Sequence, residues 1–355
     1  MGDTLVAVGD DAVSFAKNSG RQAGVAQVVE HHERTREANE IVVSRSVGND
    51  GAEMGANEHG LAIGGEPIAA RVPLEPRGRS GAELVRLALE RCRDADDALD
   101  FITSALGRDG QRGPDHHAFV LADTHHAWIV ETAGRFWAAC EVRGGIRTTS
   151  NVLSIGVDYT RVGPGTIEGA RSLGFARRGE PFDFRRAFAA PMKGWLSGGD
   201  ERRSCTQKAL SSGNAGVVDL CRALRDHGGK RPAAGLRVVA PCAHGSRRQT
   251  NGSMISILRP GATRHFFTGT SAPCLSVFKP VPLGSGKVET GGAGDDNLFS
   301  RHERLHHIVL EDYELRRRAI EGDRSAFETK ALAELAPTAA TARALFVEHH
   351  ERIHT

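Results

Sequence analysis

The first twenty residues, MGDTLVAVGDDAVSFAKNSG (1–20), decide the fold. Residues 4–8 are apolar and β-prone, residues 9–11 (Gly-Asp-Asp) are typical of a turn, and residues 12–16 run back with a similar apolar character. The pattern predicts a β-hairpin whose first strand begins near residue 2. Because most chain termini are loose, a strand here places the start of the chain inside the fold. Polar residues 17–20 end the second strand, where they can face a pocket.

Composition excludes several classes of protein. The chain has 355 residues, enough for a large core, and a net charge of +2 with both signs spread along it. We therefore expect no nucleic-acid partner and no membrane partner, and no apolar run reaches the roughly 18 residues of a membrane span. No secretory signal is predicted at the start of the chain. Six scattered cysteines without CxxC spacing indicate a reduced, cytoplasmic and, from the richness in Arg, Ala and Gly, bacterial protein with buried thiols.

Two later stretches combine glycines with strand-like segments. Residues 51–67 (GAEMGANEHGLAIGGEP) have the pattern of turn, short polar segment, turn and strand, and their glycines let the backbone pass close to another group. Residues 238–281 (VVAPCAHGSRRQTNGSMISILRPGATRHFFTGTSAPCLSVFKPV) predict three strands.

The clearest helical stretch is 80–104. Ser80 is a candidate N-cap with Glu83 three residues later, which is the pattern of a capping box, and a second helix begins near Asp94. The remaining predicted elements are paired strands at 118–131 and 135–142, helical pieces near 165–177 and 214–227, and C-terminal helices at about 297–320 and 324–352.

These stretches resemble the secernin-like C69 peptidase family, whose members are N-terminal-nucleophile hydrolases. The opening is similar to the family's Cys-Asp-Thr start, residues 54–66 to its Gly-Ala-Asn-Glu-His-Gly segment, and residues 242–280 to its Cys-x-His and Phe-Thr-Gly-Thr segments. The resemblance implies an α+β fold, a four-layer αββα sandwich of two antiparallel sheets, over residues 1–290, followed by a helical extension over residues 291–355. Matching residues of the opening are Asp3, Thr4, Val6, Ala7, Lys17, Asn18, Ser19 and Arg21.

Three departures from the family pattern fall on positions that define its chemistry. Gly2 stands where the family has its nucleophilic Cys, Gly20 where it has an Asp, and Gly65 where it has an Asn that resembles an oxyanion-hole donor. In the family the Cys attacks an amide carbonyl and its own α-amine takes the proton. The three glycines predict that acyl-enzyme chemistry has been lost. Because Gly2 is small, we expect removal of Met1, which would free the Gly2 amine.

The predicted function is non-covalent acid–base chemistry on an amino acid or small peptide. Condensation of an amine with an aldehyde, of the Pictet–Spengler type and in specialised metabolism, fits these requirements. The candidate catalytic residues are Gly2 (through its amine), His59, Glu66 and His244. The candidate binding residues are Lys17, Asn18, Asn57, Gly65, Arg71 and Asn151. No cofactor and no metal is expected, and a homodimer is an open alternative.

Two further functional alternatives stay open beside this one. The chain is a C69-type dipeptidase or amidohydrolase with residual activity, or it is a catalytically dead binding protein that holds a small ligand. A dipeptidase would release amino acids from dipeptides, whereas a dead binding protein would hold its ligand without turnover.

Two histidine motifs suggest another mechanistic class, a zinc peptidase. Residues 302–306 (HERLH) and 350–354 (HERIH) both match HExxH, which places two histidines on one helix face. A catalytic zinc needs a third protein ligand, and only Thr355 follows the second motif. Both motifs are expected on charged, solvated helix faces, so this alternative is disfavoured. The neighbouring histidines at 116–117 and 125–126 point to opposite faces of strands and are expected at the surface or in hydrogen bonds.

Overall fold

The computed structural model describes residues 1–210, 215–233, 239–245, 247–283, 297–334 and 338–352. Its strands are β1 (Gly2–Val8), β2 (Val13–Arg21), β3 (Gln27–His32), β4 (Ile41–Ser46), β5 (Met54–Asn57), β6 (Ala62–Ile68), β7 (His116–Ala122), β8 (Ala127–Ala133), β9 (Phe136–Val142), β10 (Gly145–Ser150), β11 (Arg161–Val162), β12 (Gln249–Leu258), β13 (Arg264–Phe267) and β14 (Lys279–Pro280). Its helices are α1 (Gly81–Arg91), α2 (Ala95–Asp109), α3 (Thr166–Ser172), α4 (Phe184–Phe188), α5 (Pro191–Ser197), α6 (Gly199–Ala209), α7 (Val217–Leu224), α8 (Leu298–Glu311), α9 (Tyr313–Ala333) and α10 (Ala339–Arg352).

The predicted N-terminal hairpin is present and lies inside a sheet. Strands β1 and β2 pair antiparallel from Gly2 opposite Ser19 to Val8 opposite Val13. The turn between them is closed by the Gly9 N–H, which donates to the Ala12 carbonyl over 3.1 Å. Strand β1 is buried along its whole length because β10 pairs on its other side. The start of the chain is therefore an interior strand, as the sequence predicts.

The strands form two antiparallel sheets that pack face to face. The six-stranded sheet has the order β10-β1-β2-β12-β13-β14, and the eight-stranded sheet has the order β11-β9-β8-β7-β6-β5-β4-β3. Side chains alternate across each strand, so every strand contributes one row to the layer between the sheets. That layer includes Val6, Phe15, Val120, Met254 and Phe267, all of which are buried.

Helices cover the outer face of each sheet. On the eight-stranded sheet, Leu84 of α1 and Leu99 of α2 pack on the outward row that includes Ile63. On the six-stranded sheet, Leu220 of α7 packs on the outward row that includes Leu5. The order of layers is helix, sheet, sheet, helix, and the predicted α+β sandwich of two antiparallel sheets is confirmed.

Local signals set the ends of α1 and α2. The Ser80 side chain accepts from the Glu83 N–H, and the Glu83 carboxylate accepts from the Ser80 N–H, which completes the predicted capping box. Asp94 caps α2 by accepting from the Asp97 N–H over 2.8 Å. A capping side chain of this kind contributes about 1 kcal/mol because it satisfies a helix N–H that has no partner within the helix.

The C-terminal helices pack against the six-stranded sheet near its β14 edge. Glu328 of α9 accepts two hydrogen bonds from Arg225, which follows α7, over 2.6 and 2.8 Å, and one from the Phe278 N–H over 3.1 Å. The predicted boundary at residue 290 lies outside the described residues, so the division into two units stays a prediction. No described helix is long and apolar enough to span a membrane.

The Arg225–Glu328 pair provides a test of how firmly α9 is attached. Burial raises the pKa of Glu328, but hydrogen bonds and the charge from Arg225 outweigh it, so the folded pKa lies below its usual range. We expect Glu328→Gln to lower the free energy of unfolding by about 3 kcal/mol at pH 7, because it leaves a largely buried guanidinium without its carboxylate. The difference from the wild type should shrink as the pH falls through the lowered pKa.

The matched control is Glu348→Gln. This carboxylate pairs with Lys330 and Arg352 over 2.7 and 2.8 Å, but the pairs lie at the surface and should contribute less than about 1 kcal/mol. Denaturant titration of both variants gives the comparison. Equal losses in the two variants would contradict a buried attachment through Glu328.

Candidate functional site

A buried polar network holds the start of β1. The Gly2 N–H donates to Asn151 Oδ1 over 2.8 Å. The Arg202 guanidinium, from α6, donates to the Gly2 carbonyl over 3.0 Å, to Asp3 Oδ1 over 2.6 Å and to Asn151 Oδ1 over 2.6 Å. We call these four residues, Gly2, Asp3, Asn151 and Arg202, the Arg202 network. All four residues are buried. The charge of the Arg202 guanidinium is therefore balanced by the Asp3 carboxylate and is not stabilised by bulk water.

Asn151 has a backbone conformation that side-chain-bearing residues rarely adopt. Its φ is 26°, and it follows directly after β10. Its amide group bridges two segments, because Oδ1 accepts from Gly2 and Nδ2 donates to the Pro67 carbonyl over 2.5 Å. Backbone strain of about 1–3 kcal/mol is tolerated where surrounding contacts fix the geometry, and such residues concentrate at functional sites. The predicted binding residue Asn151 is thus placed beside Gly2.

The missing side chain of Gly2 points into the layer between the sheets. A Cβ built on Gly2 would lie 2.8 Å from Lys17 Nζ and 3.1 Å from Glu66 Oε2. Lys17 Nζ and Glu66 Oε2 are 3.7 Å apart, and the Thr4 hydroxyl donates to Glu66 over 3.1 Å. The structure therefore brings together three predicted residues, Gly2, Lys17 and Glu66, with the lysine amine occupying the space that a side chain at position 2 would enter.

Burial changes the protonation of this pair. It raises the pKa of Glu66 above its usual range, although the Lys17 charge opposes the shift. Burial also lowers the pKa of Lys17 below its usual range, although the charges of Glu66 and other carboxylates oppose that shift. Glu66 Oε1 is buried and has no hydrogen-bond partner among the described residues. A carboxyl and an amine whose pKa values move toward each other can exchange a proton at moderate cost.

The first residue is also enclosed. The Met1 amine donates to the Gly20 carbonyl over 2.6 Å, and the Gly20 N–H donates back to the Met1 carbonyl. Burial, followed by the charges of Arg202, Arg248 and Arg21, lowers the pKa of this amine to about 4. A Cβ on Gly20 would lie 3.1 Å from the Met1 carbonyl oxygen, so position 20 is beside the start of the chain, as the sequence predicts.

A cavity of about 580 Å³ opens at this end of the sheet. Its wall is strongly basic, with four cationic side chains and one carboxylate among the described residues, and the remainder is largely apolar. Met1 and Asn151 belong both to the wall and to the immediate contacts of Gly2 and Gly20. The lining residues are Met1, Pro67, Ile68, Ala69, Asp115, Asn151, Lys193, Leu196, Ser197, Arg202, Val239, Gly245, Arg247 and Arg248.

Several predicted site residues are not brought to this cluster. Position 65 of β6 faces outward, since a Cβ there would meet Val85 of α1 at 2.8 Å while the adjacent Glu66 faces inward. Strand alternation makes this unavoidable, so a donor at position 65 would not reach Gly2. Arg71 is exposed, donates to the Arg186 carbonyl and stacks over Phe175.

Three other predicted residues have structural partners elsewhere. Asn57 donates to the Leu89 and Cys92 carbonyls at the end of α1, over 2.9 and 2.8 Å. His59 contacts Asn39 over 3.2 Å. Asn18 lies on the outer face of β2, where it donates to the carbonyls of Leu224 and Pro241. The bonds from Asn57 and Asn18 satisfy backbone carbonyls, and His59 contacts another side chain, so all three polar residues have protein partners without a ligand.

His244, predicted as catalytic, lies in a separate cluster. Its Nε2 atom is 3.1 Å from His227 Nε2, 3.2 Å from Cys242 Sγ and 3.5 Å from Cys274 Sγ. Among the described residues, this is a group of four metal-ligand-type side chains whose ligand atoms all lie within 4.8 Å of one another. No metal is expected from the sequence, in which these four residues are spread over a long stretch without CxxC spacing.

The first HExxH motif is placed differently from the prediction. His302 and His306 are fully buried rather than on a solvated helix face. They also contact different groups, since the His302 ring meets His349 and the His306 ring meets His244. Glu303 accepts from Gln249 over 2.8 Å and from Ser271. The last two residues of the second motif, 353 and 354, lie outside the described residues.

Comparison with known proteins gives distant structural similarity. No protein-family model matches the chain. Penicillin V acylase from Agrobacterium tumefaciens is similar at 14% identity and a TM-score of 0.43, over 79% of this chain and 85% of that chain. A mutant of conjugated bile acid hydrolase from Clostridium perfringens is similar at 9% identity and a TM-score of 0.48, over 82% of this chain and 97% of that chain. A Caenorhabditis elegans ortholog of N-acylethanolamine-hydrolyzing acid amidase is similar at 9% identity and a TM-score of 0.42, over 71% of this chain and 91% of that chain. At this distance the function must be inferred from the residues of the chain.

The Arg202 network makes a prediction about stability. Replacing Arg202 with Met leaves the Asp3 carboxylate buried without a cation, so we expect a loss of about 3–5 kcal/mol in the free energy of unfolding. Arg203→Met is the matched control, since this neighbour on α6 is only half-buried. Denaturant titration should show a loss below about 1 kcal/mol for the control.

A second variant separates the ion pair from side-chain packing. Combining Arg202→Met with Asp3→Asn removes both charges, and the double variant should lose less stability than the sum of the two single variants. Strict additivity would show that the two charges are not coupled and would contradict the network.

Proposed function

We propose that this protein binds a small carboxylate-bearing compound, an amino acid or short peptide, and transforms it by acid–base chemistry without an acyl-enzyme. The observation that carries the proposal is the geometry at Gly2. Position 2 supplies no thiol or hydroxyl, and Lys17 Nζ lies 2.8 Å from the point where a side chain would begin. The space beside position 2 is therefore filled by a lysine–glutamate pair rather than left empty.

The cavity favours this class of ligand. Its volume of about 580 Å³ is in the range of roughly 300–1,000 Å³ that holds small molecules. The charge of Arg202 is balanced by Asp3, but Lys193, Arg247 and Arg248 still outnumber the single lining carboxylate of Asp115, which favours an anion. Apolar side chains such as Ile68 and Leu196 fill much of the remaining wall. An amino acid or peptide with a free carboxylate and an apolar side chain matches both parts.

The proposed chemistry depends on Glu66 and the Gly2 amine. Removal of Met1 would take one residue from the cavity wall and leave the Gly2 nitrogen, still beside Asn151, open to the ligand. Glu66, whose pKa is raised by burial, is suited to donate a proton, and a neutral amine is suited to accept one. Condensation of an amine with an aldehyde expels water, so it needs both transfers: one to the departing hydroxyl and one from the nitrogen.

A catalytically inactive binding protein is the second candidate. It is favoured by the burial of Lys17 and Glu66, each with 1% of its side chain exposed, because neither belongs to the cavity wall while Met1 is in place. Residual dipeptide hydrolysis, a third possibility that rests on the family resemblance, would need a water molecule in place of the missing nucleophile.

Carboxylate recognition is tested by binding. We expect Arg247→Gln to weaken binding of a free-carboxylate dipeptide about tenfold, the loss of roughly 1.4 kcal/mol that follows removal of a charged hydrogen-bond donor. The C-terminally amidated dipeptide should bind weakly to the wild type, and the substitution should leave its affinity unchanged. Isothermal titration calorimetry gives the affinities, with Arg259→Gln as the control because this arginine is exposed and outside the cavity wall. Equal affinities for acid and amide would contradict the assigned ligand class.

Turnover is tested by mass spectrometry of the protein incubated with dipeptides and with amino acids plus aldehydes. We expect a condensation product with the wild type, none with Glu66→Gln, and wild-type yield with Glu75→Gln, whose side chain is 41% exposed and lies outside the cavity wall. The rate should fall as the pH rises through the raised pKa of Glu66, because the protonated carboxyl is the active form. Binding without any product would favour the inactive binding protein, and dipeptide loss would favour hydrolysis.

A further inference from the structure

Four side chains from distant parts of the chain come together near the start of β12. His227 follows α7, Cys242 and His244 precede β12, and Cys274 lies in the turn that follows β13. His227 is half-buried and the other three are buried. We call these residues the Cys₂His₂ cluster. It does not share residues with the Arg202 network or with the cavity wall.

Hydrogen bonding by His244 Nε2 accounts for only one of its three close contacts in the cluster. His244 Nε2 lies within 3.5 Å of three ligand-type atoms: His227 Nε2, Cys242 Sγ and Cys274 Sγ. A ring nitrogen carries either one proton or one lone pair, so it can satisfy one of these three neighbours. Buried polar atoms that converge beyond their hydrogen-bonding capacity indicate a shared central partner.

Three of the six separations among the ligand atoms are close to those of a tetrahedral zinc site, and all six are within 4.8 Å. With Zn–N near 2.05 Å and Zn–S near 2.3 Å, tetrahedral geometry separates two nitrogens by about 3.3 Å and a nitrogen from a sulfur by about 3.6 Å. The observed separations are 3.1 Å for the two nitrogens and 3.2 and 3.5 Å for nitrogen and sulfur. Two cysteines and two histidines are also a ligand set that zinc uses in structural sites.

A second set of contacts orients His244. Its Nδ1 atom is 2.8 Å from His306 Nε2, and His306 Nδ1 is 3.5 Å from Glu303 Oε1. Metal-binding histidines commonly donate their other ring N–H to an acceptor that fixes the ring, and carboxylates often complete the chain. His306 and Glu303 of the first HExxH motif therefore orient the His244 ring and are not themselves ligands.

We propose that His227, Cys242, His244 and Cys274 bind one zinc ion as a structural site. Four protein ligands complete the tetrahedral shell and leave no open position for substrate. Two thiolates balance the charge of Zn²⁺, which suits a buried location. Through His306, the ion connects α8 to the segments that lead into and out of β12 and β13. His244 is then a structural ligand and not a catalytic group.

Metal analysis tests the assignment on the full chain. We expect protein purified without chelator to contain one zinc per chain by inductively coupled plasma mass spectrometry. Cys242→Ser and Cys274→Ser should lose the metal, and His306→Gln should retain the ligands but lower the zinc affinity roughly tenfold or more. Cys221→Ser is the matched control, since this buried thiol lies on α7 outside the cluster and should leave the zinc content unchanged.

Two measurements on the wild type keep the test independent of how the variants fold. Replacement of the metal by Co²⁺ should give the charge-transfer and visible absorption of a tetrahedral cobalt–thiolate site, and chelation should lower the melting temperature. Metal-free protein that takes up neither Zn²⁺ nor Co²⁺ would overturn the proposal. A Cys242–Cys274 disulfide, found by mass spectrometry without reduction, or a stoichiometric metal other than zinc would overturn it as well.

Discussion

The buried guanidinium of Arg202 is the constraint on which the structure around the start of β1 depends. A cation with 2% of its side chain exposed must be surrounded by acceptors, and here these are Asp3, the Gly2 carbonyl and Asn151. To meet this requirement, α6 must lie across the start of β1 and the end of β10. The position of the first residues, the strained backbone of Asn151 and one wall of the cavity follow from that single arrangement.

On the side of Gly2 that faces the layer between the sheets lies a second buried pair, Lys17 and Glu66. Gly64 of β6 leaves room for the Lys17 side chain, since a Cβ at position 64 would lie 2.6 Å from Lys17 Cδ. The lysine therefore crosses between the sheets and reaches Glu66 and the empty side-chain position of Gly2. This explains how a glycine at position 2 is compatible with a well-packed interior. It also places two titratable groups next to the point where the chain begins.

Local signals in the sequence predict the elements well. The hairpin of residues 1–20, the capping box at Ser80 and the break before α2 depend on neighbouring residues, and the structure has all three.

Which residues come into contact across the fold is harder to predict from the sequence. Gly65 was expected at the site, but the register of β6 turns it toward α1. Arg202 lies in an arginine-rich stretch without a motif, and its partners are about 50 and 200 residues away. The members of the Cys₂His₂ cluster are likewise far apart in the sequence, and only the Cys-x-His spacing at 242–244 is a local signal of it.

The proposed function requires that no covalent acyl-enzyme forms at position 2 or elsewhere in the cavity. The most direct measurement is intact-protein mass spectrometry of rapidly quenched mixtures with amide and ester substrates, with Gly2→Cys as the reference for a thiol nucleophile. We predict that the wild type shows only its unmodified mass at every time point. An added mass equal to the acyl group, mapped by peptide analysis to a residue of the cavity wall or of the Arg202 network, would contradict it.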